Sequence, residues 1–219
     1  MQYADAMKPT LRPLALLIAL LAWAALALQF VLVLHYSAAA GRSLLDALAR
    51  YFSFFTILTN LLVAALLTGA LVSRDPDSLF KRVSVQSAAV VYILVVMLIY
   101  FLLLRGSWTP HGTQFIADTL LHYVVPPLYA LYWLAGVPKG RLAWSDPLRW
   151  LAWPSVYFFY NLALGAARGE YPYRFIDPGA LGYPRTFLNG VMLAIVFLAL
   201  GLALVAVDRA MGKDARLRL

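Results

Sequence analysis

The sequence predicts an all-α integral membrane protein: a single six-helix transmembrane bundle over residues 1–219, with both termini on the cytoplasmic side. Three observations predict it. Of the 219 residues, 63% are apolar and only 13% charged, where a soluble domain runs at about half and about a quarter. Six apolar stretches, about 13–36, 49–72, 84–104, 119–136, 149–166 and 186–207, approach or reach the roughly 20 residues that cross a bilayer. Lys and Arg between them divide twelve to the side of the N-terminus and six to the other, and the richer side faces the cytoplasm.

The first run carries polar Gln29 and His35 and lacks a small-residue cleavage site. It therefore reads as a span rather than a signal peptide. The connections on the basic side, "RDPDSLFKR" and "PKGRLAWSDPLR", are short turns built on Pro, Gly and Asp. Those on the other side are longer and aromatic, "RGSWTPHGTQF" and "RGEYPYRFIDPGALGYPR". Trp108, Tyr171 and Tyr173 within them read either as an interfacial aromatic belt or as a lid over an outward-facing pocket. No cysteine is present, which excludes disulfides and thiolate chemistry. The formal charge of +8 is spent on topology, and no basic face is left for nucleic acid.

The second run opens "RYFSFFTILTNLLVA". As one helix it puts Ser53, Thr56 and Asn60 on a shared face, with Thr56 roughly 9 Å inside the outer boundary. The fourth run contains "DTLLHYVVPPLY", with His122 roughly 5 Å inside the same boundary. An ionisable group at that depth marks a functional site by default. Proline has no N–H to donate four residues back, so Pro126 frees the His122 carbonyl and Pro127 that of Tyr123. Broken backbone inside a membrane needs cover from protein or water, which predicts a small polar pocket at His122. Asp118 stands four residues earlier, either as the N-terminal cap of this helix or as the acceptor that orients the imidazole.

Arg105 and Arg168, at outer ends of spans, read as partners for a carboxylate or as side chains reaching toward lipid phosphates. Asn161 and Asn189 read as interhelical hydrogen-bonding residues. A haem held by His35 and His122 would need two axial ligands of this kind, but no paired-histidine pattern repeats. No two histidines stand at the i, i+4 spacing of a zinc helix, and His111 lies in a loop. No cofactor and no metal are expected.

Taken together, "YFSFFTILTNLLV", "LLHYVVPPLYALYW", "PKG" with a following Trp, and "YPYRFID" with "LGY" resemble the six-span bacterial relatives of the androgen-induced and androgen-dependent TFPI-regulating proteins. The resemblance runs from about residue 14 to 208. It implies a multi-pass protein of the bacterial cytoplasmic membrane and an intramembrane threonine hydrolase of lipid esters, with fatty acid esters of hydroxy fatty acids as substrates. Position by position it puts the nucleophile on Thr56, with Thr59 one turn away as the alternative, and the base on His122. Ser53 or Asn60 would supply an oxyanion donor. A lipid or fatty-acyl ester and the bilayer are then the implied partners; the oligomeric state is not implied. The competing expectation is a solute or ion carrier without hydrolase activity, motivated by broken helices and polar residues on several spans.

Overall fold

The computed structural model describes residues 9–106 and 109–217, and all regular structure among them is helical. The long helix α1 (Arg12–Ala39) starts with a proline in its first turn, where the missing N–H costs nothing. It is followed by α2 (Leu44–Ser53) and α3 (Phe55–Val72). Next comes α4 (Val83–Ile99), prolonged by a π turn over Tyr100–Leu104. Then α5 (Thr113–Thr119), a second π turn (Leu120–Val124) and α6 (Val125–Gly136) run on as one continuous helix. The chain closes with the short α7 (Asp146–Trp150), α8 (Ala152–Arg168), the single turn α9 (Pro178–Leu181) and α10 (Tyr183–Leu217).

Four of these helices are long and apolar enough to cross a membrane: α1, α3, α4 with its π turn, and α10 over Tyr183–Gly212. Their outward faces carry large apolar side chains, Leu16, Leu20 and Val31 on α1 and Leu188, Met192 and Ile195 on α10. Such surface suits lipid rather than water, and it marks the chain as membrane-embedded.

Because lipid is as apolar as the side chains, helix association here depends on close packing and interhelical hydrogen bonds. Ala15, Ala19, Ala22 and Ala25 form a buried stripe on α1, and α1 packs most extensively on α3. Small residues allow that close approach. Polar side chains add fixed points: Trp133 Nε1 donates to Ser87 Oγ (2.7 Å), Tyr92 O–H to the Trp150 carbonyl (2.6 Å) and Tyr51 O–H to the Leu26 carbonyl (2.9 Å). At the end of α10, Gly212 lies against Gly140, where an added Cβ would stand 2.4 Å from the Gly140 Cα. Only glycine fits that crossing.

Two differences from the sequence expectation position the site. The run at 49–72 is not one helix, because Phe54 is extended (φ −83°, ψ 126°) and separates α2 from α3. Tyr157 serves the break from α8: its O–H donates to the Ser53 carbonyl (2.7 Å) and accepts from the Phe55 N–H (3.2 Å). The fourth run also begins earlier, at Thr113. Asp118 therefore lies inside a helix and does not cap one.

Candidate functional site

Thr56 sits in the first turn of α3, directly after the break. Its Oγ1 lies 3.3 Å from His122 Nε2 and 3.5 Å from the Tyr173 hydroxyl, and all three residues are buried. The other imidazole nitrogen, Nδ1, is 3.0 Å from the Asp118 carbonyl and 3.3 Å from its Oδ1. Both neighbours are acceptors, so the proton resides on Nδ1 and Nε2 presents a lone pair to Thr56. The Asp118 carboxylate also accepts a short hydrogen bond from Tyr100 O–H, and the Tyr100 ring stacks on the imidazole at 3.9 Å. The imidazole is thus fixed in tautomer and in plane.

Tyr100 and His122 each occupy one of the two π turns. Such turns concentrate at functional sites, and here they bring the two rings into register. The π turn also shifts the expected effect of the prolines by one residue. Val125 N–H bonds the Leu120 carbonyl, five residues back. In that ladder Pro126 leaves the Leu121 carbonyl without a backbone donor, and Pro127 leaves that of His122. Asn60 supplies the donor: its Nδ2 bonds the Leu121 carbonyl (3.3 Å) and the Thr56 carbonyl (2.9 Å).

Asn60 is therefore a strut between α3 and the histidine helix, and both its N–H groups are engaged, so it is not an oxyanion donor. Replacing it with leucine leaves the buried Leu121 carbonyl unpaired, while the Thr56 carbonyl keeps its helical partner, and is expected to cost about 1–2 kcal/mol. Unfolding in a denaturing detergent series measures this, and an unchanged midpoint would contradict the role. Ser53 is not a donor to the site either; its Oγ bonds the Arg50 carbonyl (2.7 Å). Thr59 is fully buried, finds no partner among the described residues and lines neither cavity near Thr56.

Polar donors do reach Thr56 from elsewhere. The Tyr173 hydroxyl stands 3.5 Å from Thr56 Oγ1, and the first N–H groups of a helix, here those at the start of α3, have no intrahelical partner. Tyr173 stacks on Phe175 at 5.1 Å, and Asn189 of α10 holds the Phe175 carbonyl at 2.9 Å. The other asparagine expected between helices, Asn161, bonds the Tyr157 carbonyl one turn back within α8 (3.2 Å).

A cleft of about 430 Å3 opens beside the pair, lined by Thr56, His122, Asp118, Arg50, Gln29 and Gln114 among others. Gln114 donates to Gln29 across it (2.8 Å). The expected arginines stand elsewhere. Arg105 lies over the Phe101 ring at 4.1 Å, outside the cleft lining. Arg168 bonds the Asp46 carbonyl (3.2 Å) and approaches its carboxylate (3.6 Å). Tyr171 packs its ring on Gly165, where a Cβ would come within 2.2 Å. Trp108 lies outside the described residues. Arg50, Gln29, Tyr100 and Tyr157 were not among the expected site residues; Gln29 and Arg50 were visible as polar residues near the outer boundary, whereas nothing local distinguishes the two tyrosines.

At the rim, Arg42 pairs with Glu170 through two 2.7 Å contacts, with Arg50 at 3.9 Å. Hydrogen bonding to Arg42 holds the Glu170 carboxyl below the usual carboxylate range. A depressed folded value gives stability that is present above the unfolded pKa and lost as pH falls through the folded one. Thermal unfolding in detergent is expected to show a small loss below the usual carboxylate range, and also at about 1 M salt, which screens exposed pairs. Glu170→Gln removes this acid-dependent loss; an identical loss in the variant would contradict it.

Fold and site together define a class: a protein all-helical over its described residues, with membrane-length helices and a buried threonine–histidine–aspartate cluster beside a polar cleft. No family model, no curated protein and no solved structure matches the chain. Its chemistry is therefore read from the geometry of these side chains.

Proposed function

We propose that the chain is a membrane-embedded hydrolase of lipid esters, with Thr56 as nucleophile and His122 as general base. The observation that carries the reading is the 3.3 Å approach of Thr56 Oγ1 to a histidine nitrogen whose opposite nitrogen is held by Asp118. A hydroxyl is a weak nucleophile until a neighbouring base takes its proton. His122 Nε2 accepts that proton as Oγ1 attacks the ester carbonyl carbon, and the developing imidazolium faces the Asp118 carboxylate. The carbonyl oxygen gains charge beside the Tyr173 O–H and the first-turn N–H of Thr56, at the positive end of a helix dipole. The C–O bond to the alcohol then breaks, and Nε2 returns the proton to the leaving alkoxide. Water, deprotonated by the same histidine, releases the acid from Thr56.

In this reading the helices make six spans. The continuous run α5 to α6 and the helix α8 join the four membrane-length helices, and both termini face the cytoplasm, as the basic residues require. Membership of the bacterial branch resembling the androgen-induced proteins, with fatty acid esters of hydroxy fatty acids as substrates, belongs to the same proposal. Its support is the pairing of the two residues that the resemblance singles out. The test is reaction of the purified protein with a fluorophosphonate: wild type is expected to label, while equal labelling of wild type, Thr56→Ala and His122→Ala would sink the proposal.

A further inference from the structure

Thr56 lies in the wall between two hollows. Besides the cleft, a groove of about 260 Å3 runs between α4, α8 and α10, lined by Val95, Ile99, Phe158, Phe187, Val191 and Ala194 among others. Thr56, Leu104 and Tyr173 line both. The two differ in chemistry. His122, Asp118, Arg50, Gln29 and Gln114 line only the cleft, whereas the groove's polar side chains are limited to Thr56, Ser155, Tyr157 and Tyr173. Phe159 of α8 and Phe187 and Val191 of α10 are exposed where the groove reaches the helix surface. Its mouth therefore opens sideways, on faces suited to hydrocarbon.

We infer that this groove is the acyl-chain subsite, entered laterally from the bilayer, and that the alcohol arm of the ester occupies the cleft. The inference rests on the hydrolase reading and adds direction to it. The proton that leaves Thr56 Oγ1 travels by His122 Nε2 to the leaving alkoxide, so the alkoxide oxygen must stand on the histidine side of the carbonyl carbon. His122 borders only the cleft. With the alcohol there, the remaining substituent of the carbonyl carbon points past Thr56 into the groove. Polarity agrees: a hydrocarbon chain finds an apolar wall, and the alcohol finds Arg50 and the Gln29–Gln114 pair. As the Thr56 Oγ1–carbon bond forms and the carbon–alkoxide bond breaks, the alcohol departs by the cleft. The water that then cleaves the acyl-threonine enters by the same polar route, and the fatty acid leaves through the groove.

Two substitutions on α10 narrow the groove without touching the histidine side. Ala194→Phe places a ring in the groove. In Gly190→Leu the first added carbon meets the Phe158 ring at 3.0 Å, a side chain that can turn aside while the leucine fills the space. For each variant in nanodiscs, kcat/KM is measured on p-nitrophenyl acetate and decanoate. The decanoate-to-acetate preference is expected to fall at least about tenfold, and an unchanged preference in both overturns the assignment. A second measurement stands apart from turnover. A diazirine-bearing palmitate analogue, photolysed with the Thr56→Ala protein in nanodiscs, is expected to crosslink within 154–159 and 187–194 and to lose that crosslink in the added presence of Ala194→Phe. Crosslinks mapping elsewhere, or crosslinking left unchanged by Ala194→Phe, overturn the groove while leaving the hydrolase reading intact. Absence of wild-type hydrolysis removes the hydrolase reading and with it the acyl-subsite assignment, and the crosslinks then report a lipid groove alone.

Discussion

Thr56→Ala is expected to lose fluorophosphonate labelling and to lower ester hydrolysis by at least about 10³-fold, while Thr59→Ala keeps both within a few-fold of wild type. The contrast follows from placement. Thr56 Oγ1 stands 3.3 Å from His122 and lines both hollows, whereas Thr59 is fully buried and lines neither. Residues that act as a unit lose most of their effect with the first removal. His122→Ala should therefore approach the same floor, and the double variant should add little. Additive losses would mean that the two residues do not share a step. Labelling that survives Thr56→Ala but is lost in Thr59→Ala would move the nucleophile one turn down the helix.

Asp118→Asn carries the second large effect, a fall in kcat of about 10²-fold with KM nearly unchanged. A carboxylate that orients a catalytic histidine can be worth about 10⁴-fold when its loss also reverses the tautomer. Here the Asp118 backbone carbonyl lies 3.0 Å from Nδ1, and it survives the substitution. The tautomer is kept; what disappears is the negative charge facing the imidazolium. The expected loss is therefore smaller, and it falls on the chemical step alone. Tyr100→Phe separates the second function of the carboxylate, because it removes the phenol bonded to Asp118 but keeps the stacked ring. A loss as large as that of Asp118→Asn would show that Tyr100 is needed to align the carboxylate. A rise in KM without loss of kcat in Asp118→Asn would place Asp118 in binding instead.

Much of this was legible in the sequence, for identifiable reasons. Long apolar runs announce membrane helices because a bilayer tolerates little else. Spacing from the outer boundary placed Thr56 and His122 at comparable depth, and the proline pair marked broken backbone beside the histidine. The break at Phe54 was not legible: "SFFT" contains neither glycine nor proline, and the phenol that serves the exposed backbone comes from Tyr157, about a hundred residues later. For the same reason Ser53 read as a neighbour of Thr56 on one helix face. The start of the fourth helix, and with it the reading of Asp118 as a cap, was misplaced because "GTQFIADT" is polar enough to read as a loop, yet it is the first part of a helix that begins at Thr113. Tyr173 stood out only as one of several aromatics in an outer connection. Its approach to Thr56 depends on the path of that connection, which hydropathy does not describe.

Tyr157 has a consequence for anyone who would re-engineer substrate length. The phenol that fastens the joint between α2 and α3 also forms part of the groove wall. Volume gained there by mutation comes at the expense of the alignment of the first turn of α3, and so of Thr56, the proposed nucleophile. The facing wall, from Gly190 to Ala194 on α10, carries no such duty. A selection for longer or shorter chains should accordingly accumulate changes on α10 and leave Tyr157 in place.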